Sequence, residues 1–458
     1  MIVESKHLAV ADIVTLAQKR GLHEIWVNDV GAVTWAQFGI AVAAARLECE
    51  GNGVVAGSVV EVAAEERLGF IAWLFGAASV GAVVAPVRRG NASFSPLEQF
   101  VRIDWRVVDG RLSRAGSGTM APASQKLLAV LQGRRHPGLI LATGGTTGTP
   151  KVVLHDLTAL LATVPVKDGH PWRTLALMRF DHIGGLDSAW RALGGRQVLV
   201  APPGEITPEK VAATIERHRV EVLPATPSFL NLLLMADAHR SRNLSSLRVV
   251  PYGAEPMPPS LLERLKLALP HVEFVQRFGT SETGSLPVRG VGGSLSLSEK
   301  KEGFSWKIVE GELWVRSPAR ALGYLSGDTG GFDEAGWFHT GDVADMLPDG
   351  SMRILGRRTE LINVGGEKVL PAEVENALLR HPLIADCRVG QWPNALLGQV
   401  VSAEIVWRGP EQDAISVKRQ VHEFARDLIA RHKLPVVVQL VKSIESTRSL
   451  KKSRNVRS

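Results

Sequence analysis

The stretch Leu139-Ile140-Leu141-Ala142-Thr143-Gly144-Gly145-Thr146-Thr147-Gly148-Thr149-Pro150-Lys151 runs from an apolar segment straight into glycines, threonines and one lysine. A short apolar run bounded by turn residues reads as a buried strand. A strand ending in Gly and Thr brings backbone N–H groups and hydroxyls close to phosphate oxygens, and Lys151 adds a fixed positive charge. The pattern predicts a phosphate loop. It differs from the P-loop of the common NTPases, which needs Gly-Lys-Ser/Thr in succession, because Thr149 and Pro150 separate Gly148 from Lys151.

Around this loop, strand-like runs alternate with helical ones. Ile25 to Asn28 precedes a helix from Trp35, Val59 to Val62 precedes a helix from Leu68, and Gln197 to Ala201 precedes a helix from Thr207. Such alternation predicts an α/β fold with mostly parallel sheets covered by helices. Thr207 is the expected cap of its helix, with Pro208 at the first position, and Val220 to Leu223 reads as the following strand. Leu68 to Val87 carries no charge and approaches the length of a membrane span. Gly76, Gly81 and Pro86 break it into a buried helix, Leu68 to Ser79, and a buried parallel strand, Ala82 to Ala85. Arg114 to Ser124 has little pattern and reads as a surface loop.

Past Gly336 the texture changes to short strands and turns, with later helices expected at Pro371 to Leu379 and Ala414 to Arg431. Two domains are expected: a large one over residues 1–356 and a small α+β one over 357–458, joined at Gly356 to Thr359.

Composition narrows the function. The 458 residues are 45% hydrophobic and 22% charged, the balance of a globular chain. A net charge of +7 would attract anions, but Lys and Arg are spread along the chain and show no basic face interleaved with aromatics, so nucleotides fit better than nucleic acid. Cys49 and Cys387 have no metal-ligand spacing and fit a reducing compartment. Cys49 falls on the helical stripe Trp35, Phe38, Val42, Ala45, Cys49, which predicts packing and not reactivity. The start MIVESKHLAV lacks the features of a secretory signal, so a cytoplasmic protein with no membrane span is expected.

Three more motifs follow in order: FGTSETG (Phe278 to Gly284), GWFHTGD (Gly336 to Asp342) and GRRTELINVGGEKVLPAEVE (Gly356 to Glu375). Together with the Thr-Gly-rich loop they resemble the adenylate-forming superfamily of acyl- and aryl-CoA synthetases, nonribosomal peptide synthetase adenylation domains and luciferases. Among these the chain is most like a stand-alone acyl-CoA ligase.

The resemblance implies an ATP site made by Thr143, Gly144, Gly145, Thr147, Gly148 and Lys151, with Gly253, Ala254, Glu255, Phe278, Gly279 and Thr280 around the adenine. It implies Asp342 and Arg357 at the ribose or phosphate, and Thr146 and Glu282 as magnesium ligands with catalytic roles. His182 and Gly184, in FDHIGGLD, would line the acyl pocket. Lys451, or its neighbour Lys452, would be the lysine of the first half-reaction, because Thr447 to Arg454 resembles a Ser-Gly-Lys-x-x-Arg ending with Leu450 in place of glycine. Rotation of the small domain about Thr359 would bring Gly365, Gly366 and Lys368 to coenzyme A.

The implied reaction activates a fatty or aromatic carboxylic acid with ATP and Mg2+, then transfers the acyl group to coenzyme A. A carrier-protein phosphopantetheine is the alternative acceptor, and an inactive nucleotide-binding homologue the remote one. The segments expected around the acyl pocket carry few charges, which favours an uncharged tail over an amino acid.

Overall fold

The computed structural model describes residues 7–65, 67–88, 97–143, 151–291, 294–297, 302–326 and 331–445. A seven-stranded sheet is built around Val59–Ala63, Val83–Val87 and Gly138–Thr143, which run parallel, with Ile103–Val108 parallel on the far side of the first. Antiparallel strands close both edges: Arg111–Ser117 at one, Lys151–Asp156 and then Gly323–Tyr324 at the other. The helix Arg67–Ser79 crosses between two parallel strands and buries Phe70 to Ala78. Apolar all round, it is a core helix. A Cβ on Gly76 would come within 2.6 Å of the Ala45 Cβ, so the two helices touch where only glycine fits. Among the described residues no helix is long and apolar enough to cross a membrane.

The neighbouring helix Trp35–Asn52 begins in a capping box, Thr34 with Gln37, and buries the stripe from Trp35 to Cys49. Burial pushes the Cys49 thiol up to about 11, which keeps it protonated and inert.

A second layer orders Ala32–Thr34, Glu24–Val27, Val198–Val200 and Arg173–Leu175. The strand expected at Val220 to Leu223 shrinks to one residue: Val222 bridges Thr174 on one side and Val249 on the other. It still carries the ladder, through Glu221 N–H to Arg173 O (2.8 Å) and Leu223 N–H to Val249 O (3.0 Å). Pro224, with no N–H to donate, follows at once. Thr207 caps the helix Pro208–His218 by accepting from Lys210 N, as the sequence predicts.

The expected loop at Arg114 to Ser124 is not one. Its first part belongs to the edge strand Arg111–Ser117, and its last residues open the helix Pro122–Arg134. This edge strand buries no residue fully and meets the cores only through Leu112 and Ala115, three residues apart, so it shows no apolar alternation.

Val222 links this layer to an eight-stranded sheet that runs from Val249–Tyr252 through Glu273–Gln276 to the long antiparallel pair Phe338–Met346 and Met352–Arg357, and on to Glu312–Arg316 and Ser305–Val309. The next strand in sequence, Ile362–Val364, joins a separate five-stranded sheet with Glu367–Val369, Gly398–Trp407, Ile384–Asn394 and Val437–Leu440. Helices Pro371–Leu378 and Ala414–Ala425 cover it. The second stops at Ala425, short of the expected Arg431, and Ile429 folds back among the residues of that core.

This small unit rests on two helices of the large one, Pro227–Met235 and Pro259–Ala268. Asn231 reaches the Ala385 carbonyl (3.5 Å), Ser260 donates to Asn376 (3.4 Å), and Met235 packs on Ala385, Val406 and Ile444.

Candidate active site

The strands Gly138–Thr143 and Lys151–Asp156 pair antiparallel, with Thr143 opposite Lys151, so the two ends of the Thr-Gly loop are held side by side. Gly144, Gly145, Thr146, Thr147 and Gly148 lie outside the described residues, as do Lys451 and Lys452. Lys151 is described: its ammonium sits 5.3 Å from the centroid of the Tyr324 ring, a cation–π distance. The Tyr324 hydroxyl donates to Glu282 Oε1 at 3.0 Å. Lys151, Tyr324 and Glu282 therefore meet at the mouth of the loop.

Glu282 is presented by a miniature hairpin, Gly279–Thr280 against Gly284–Ser285. The Thr280 hydroxyl turns back into it and accepts from Glu282 N (3.2 Å) and Thr283 N (3.1 Å), and the Glu282 carbonyl accepts from Ala321 N (2.6 Å). Such a side-chain-to-backbone turn fixes the backbone while leaving the carboxylate free to point outward. His155 anchors the hairpin from below. Its Nε2 is 2.6 Å from the Ser281 carbonyl, and full burial pushes the imidazole down to about 4. It is therefore neutral at physiological pH and donates through Nε2. No titratable cluster among the described residues could by itself enclose a metal.

Gly253, Ala254 and Glu255 leave the strand Val249–Tyr252 in a tight turn, with Ala254 at φ +69°. Glu255 ties that turn to the start of the helix Pro227–Met235 by accepting from Ser228 N (3.2 Å) and Oγ (2.7 Å), where a carboxylate also meets the positive end of the helix dipole. Phe278 packs against the core to which Phe338, on the strand of Asp342, belongs, and Ile354, on the strand of Arg357, borders the same core.

Asp342 and Arg357 face each other across those strands, Nε to Oδ1 at 2.9 Å, while Arg357 Nη1 donates to the Thr340 carbonyl at 2.7 Å. The other carboxylate oxygen, Oδ2, is buried with no partner among the described residues. Burial, only partly opposed by Arg357, pushes Asp342 up to about 6.

His182 is the N-cap residue of the helix Ile183–Gly194, and its side chain does not cap the helix. Asp181 beside it pairs with Arg179, and Asp187 with Arg191 (2.8 Å). Gly184 is exposed, with room for a methyl group 3.6 Å from Met178. Gly185, the other glycine of that segment, is constrained and not flexible: a Cβ there would overlap the Arg179 carbonyl. Gly365, Gly366 and Lys368 lie at the exposed tip of the hairpin Ile362–Val364 with Glu367–Val369, where a Cβ on Gly366 would meet nothing within 4 Å. Thr359 lies in the single turn Arg358–Glu360, pinned by the Arg358 to Glu312 ion pair (2.9 Å).

Two site residues escaped the sequence reading. Tyr324 carried one signal, being one of only two tyrosines in the chain. The other, Tyr252, immediately precedes the Gly253 turn and is fully buried, its hydroxyl pushed up to about 12. His155 carried none, since nothing in its neighbourhood points to a residue 126 positions away.

Residues 117–325 match the model of the AMP-binding enzyme family, and residues 373–451 that of the AMP-binding enzyme C-terminal domain. A 4-coumarate–CoA ligase-like protein of Arabidopsis thaliana is 30% identical over 298 residues, which cover 58% of this chain and 52% of that protein. A 2-succinylbenzoate–CoA ligase of Bacillus licheniformis is 29% identical over 338 residues, 69% of this chain and 68% of that one. The chain thus spans about half of the first relative's length and about two thirds of the second's. In fold it is similar to the crystal structure of an anthranilate CoA ligase in complex with anthranoyl-AMP, with a TM-score of 0.78, 20% identity and 97% of each chain covered. The two family models, matched in order along the chain, make it a member of the adenylate-forming enzyme superfamily.

Proposed function

We propose that this protein is an AMP-forming acid–thiol ligase, which joins an uncharged aliphatic or aromatic carboxylic acid to AMP with release of pyrophosphate and then passes the acyl group to coenzyme A. The observation that carries the reading is the meeting of Lys151, Tyr324 and Glu282 where the ends of the Thr-Gly loop are held together.

The chemistry asks for little acid–base help. A carboxylic acid with a pKa of about 4 is ionised at neutral pH and can attack the α-phosphorus directly. What the site must supply is alignment of two anions and neutralisation of the charge that develops between them. Lys151 offers a positive charge at the loop's edge. A single carboxylate, Glu282, suits Mg2+, which keeps several waters and takes its remaining oxygens from substrate phosphates. The Tyr324 hydroxyl holds that carboxylate in place by occupying one oxygen. Asp342 Oδ2 is an acceptor waiting for donors, which fits the ribose hydroxyls of a nucleotide, and Arg357 stands beside it. Thr143 to Gly148 would close over the phosphates, and Phe278 with the Gly253 to Glu255 turn would flank the adenine.

On this reading the chain divides near Gly356 to Thr359. The small unit would turn about Thr359, exchanging Lys451 or Lys452 for the hairpin of Gly365, Gly366 and Lys368. The Phe180 to Asp187 segment, with His182 and Gly184, would line the acyl pocket.

The experiment is incubation with ATP, Mg2+, coenzyme A and a panel of short aliphatic, long aliphatic and simple aromatic acids, reading pyrophosphate and, by mass spectrometry, acyl-CoA. Acid-dependent pyrophosphate together with acyl-CoA is expected. Pyrophosphate with acyl transfer only to an added carrier protein would replace coenzyme A as the acceptor, and no pyrophosphate with any acid would overturn the reading.

A further inference from the structure

The sheet that carries the Gly253 turn at the carboxyl ends of its strands opens, at the amino ends, on a cleft of about 520 Å³. Arginines line it in strand order. Arg196 stands two residues before the strand Val198–Val200, Arg173 is the first residue of its own strand, Arg219 stands three before the bridged Val222, and Arg248 one before Val249–Tyr252. Neighbouring strands lie about 4.8 Å apart, so these guanidinium groups start from adjacent positions along one edge, with His23 and His170 beside them.

Two carboxylates share the cleft, and both are already engaged. Glu24 accepts from Arg173 Nη1 at 3.0 Å. Glu221 accepts from the Arg173 backbone N–H at 3.0 Å and lies 3.2 Å from His170 Nε2. Arg196, Arg219 and Arg248 have no acidic partner among the described residues. Arg196 donates to His23 Nε2 at 3.3 Å, yet its own Nε–H is buried with no acceptor. Its charge also opposes that of Arg20 nearby.

Helix ends explain part of this. Arg196 follows the helix ending at Gly194 and Arg219 the one ending at His218, and cations there gain a little from the helix dipole. Arg248 follows no helix: the segment before it is the Leu244 to Leu247 turn. Arg173 opens a strand. The row as a whole therefore exceeds what helix capping requires.

We propose that this cleft is a second anion site, distinct from the one at the loop of Lys151, which takes a small oligophosphate, free or as the tail of a nucleotide. Guanidinium groups match phosphate oxygens in pairs. Three of them, without an acidic partner among the described residues and lining one concave surface, favour a compact polyanion over a single charge. A cleft of this volume admits a molecule of nucleotide size and not a long polymer. The inference stands apart from the ligase reading and does not depend on it.

The test is titration calorimetry of the full chain at low salt with inorganic tripolyphosphate, in a Lys151→Ala, Asp342→Asn background that weakens the other site. One saturable equivalent is expected to remain. Adding Arg196→Gln, Arg219→Gln and Arg248→Gln should weaken it at least about tenfold, because each removes a charged donor, and should flatten its salt dependence. Should the triple change disturb folding, Arg248→Gln alone, which borders no helix end, should still weaken binding several-fold. ATP binding tighter than tripolyphosphate marks a nucleotide as the natural occupant, and equal affinity marks the phosphate chain; both keep the site. No saturable binding in the background chain, binding unchanged by the arginine substitutions, or a 12-nucleotide single strand binding far tighter than either probe would overturn it.

Discussion

Two acidic residues of the candidate site, Glu282 and Asp342, are built in opposite ways. Glu282 stands on a hairpin of a few residues, its backbone locked by the Thr280 hydroxyl, its carboxylate half-buried and held through one oxygen by Tyr324. Asp342 lies in the middle of the nine-residue strand Phe338–Met346, almost fully buried, paired with Arg357 through one oxygen and left without a partner on the other. A carboxylate kept near water can meet a cation that brings its own hydration. A carboxylate kept dry resists ionisation until donors arrive. On the proposed reading Glu282 would supply charge and Asp342 would meet hydroxyl groups, and substitutions at each should separate the two roles.

The largest effect is expected at Glu282. Glu282→Gln preserves shape and the Tyr324 contact but removes the charge, and loss of one preorganised electrostatic group of this kind costs on the order of 3 kcal/mol, about a hundredfold in rate. Pyrophosphate exchange should fall by that factor while the unfolding midpoint in urea stays put. Exchange at the wild-type rate would take Glu282 out of the site.

Asp342 should reveal itself through pH. Its pKa of about 6 in the folded chain lies above the ordinary value of about 3.9. Between those two pH values the folded protein keeps a proton that the unfolded chain has lost, so stability declines as pH rises through the window. A shift of about two units corresponds to about 3 kcal/mol at most. Asp342→Asn should abolish that part of the decline, measured by urea unfolding from pH 4 to 7. Adenosine affinity should run the other way, rising as pH climbs through about 6 in the wild type because the ionised carboxylate accepts hydroxyl protons better, and staying low and flat in the variant. Parallel pH profiles for the two proteins would show that Asp342 does not titrate in this window.

The same contrast explains what could be read in the sequence. The cap at Thr207 and the stripe from Trp35 to Cys49 are local signals, each complete within one turn or one helix, and each was legible. Arg114 to Ser117 was not, because an edge strand that buries no residue fully and touches the cores only through Leu112 and Ala115 has no apolar alternation to show. Nor was Val222, whose strand character rests on two neighbours at Thr174 and Val249 and on no run of its own. Within the site, motif resemblance pointed to Glu282 and Asp342 but could say nothing of their surroundings. Tyr324 lies 42 residues from Glu282, and His155 lies 126 from Ser281. Contacts at that separation exist only once the seven-stranded sheet places the strands Lys151–Asp156 and Gly323–Tyr324 side by side.

Tyr324 offers the finest probe of the comparison. If Glu282 works by its charge and Tyr324 only orients it, Tyr324→Phe leaves the charge in place and removes a single hydrogen bond, worth about 1.5 kcal/mol to a charged acceptor. Adenylation should slow roughly tenfold, well short of the loss in Glu282→Gln, and the two changes together should cost no more than Glu282→Gln alone, since orientation has no value once the charge is gone. The ring itself also faces Lys151, so Tyr324→Leu, which loses both contacts, should fall below Tyr324→Phe by a further few-fold at most, the cation–π contact being worth about 0.5–1 kcal/mol where water still reaches it. Pyrophosphate exchange in the four variants closes the cycle. Strict additivity of the Tyr324→Phe and Glu282→Gln losses would mean that the hydroxyl acts on something other than the carboxylate it touches, and the division of labour between the two acidic residues would then need a third participant.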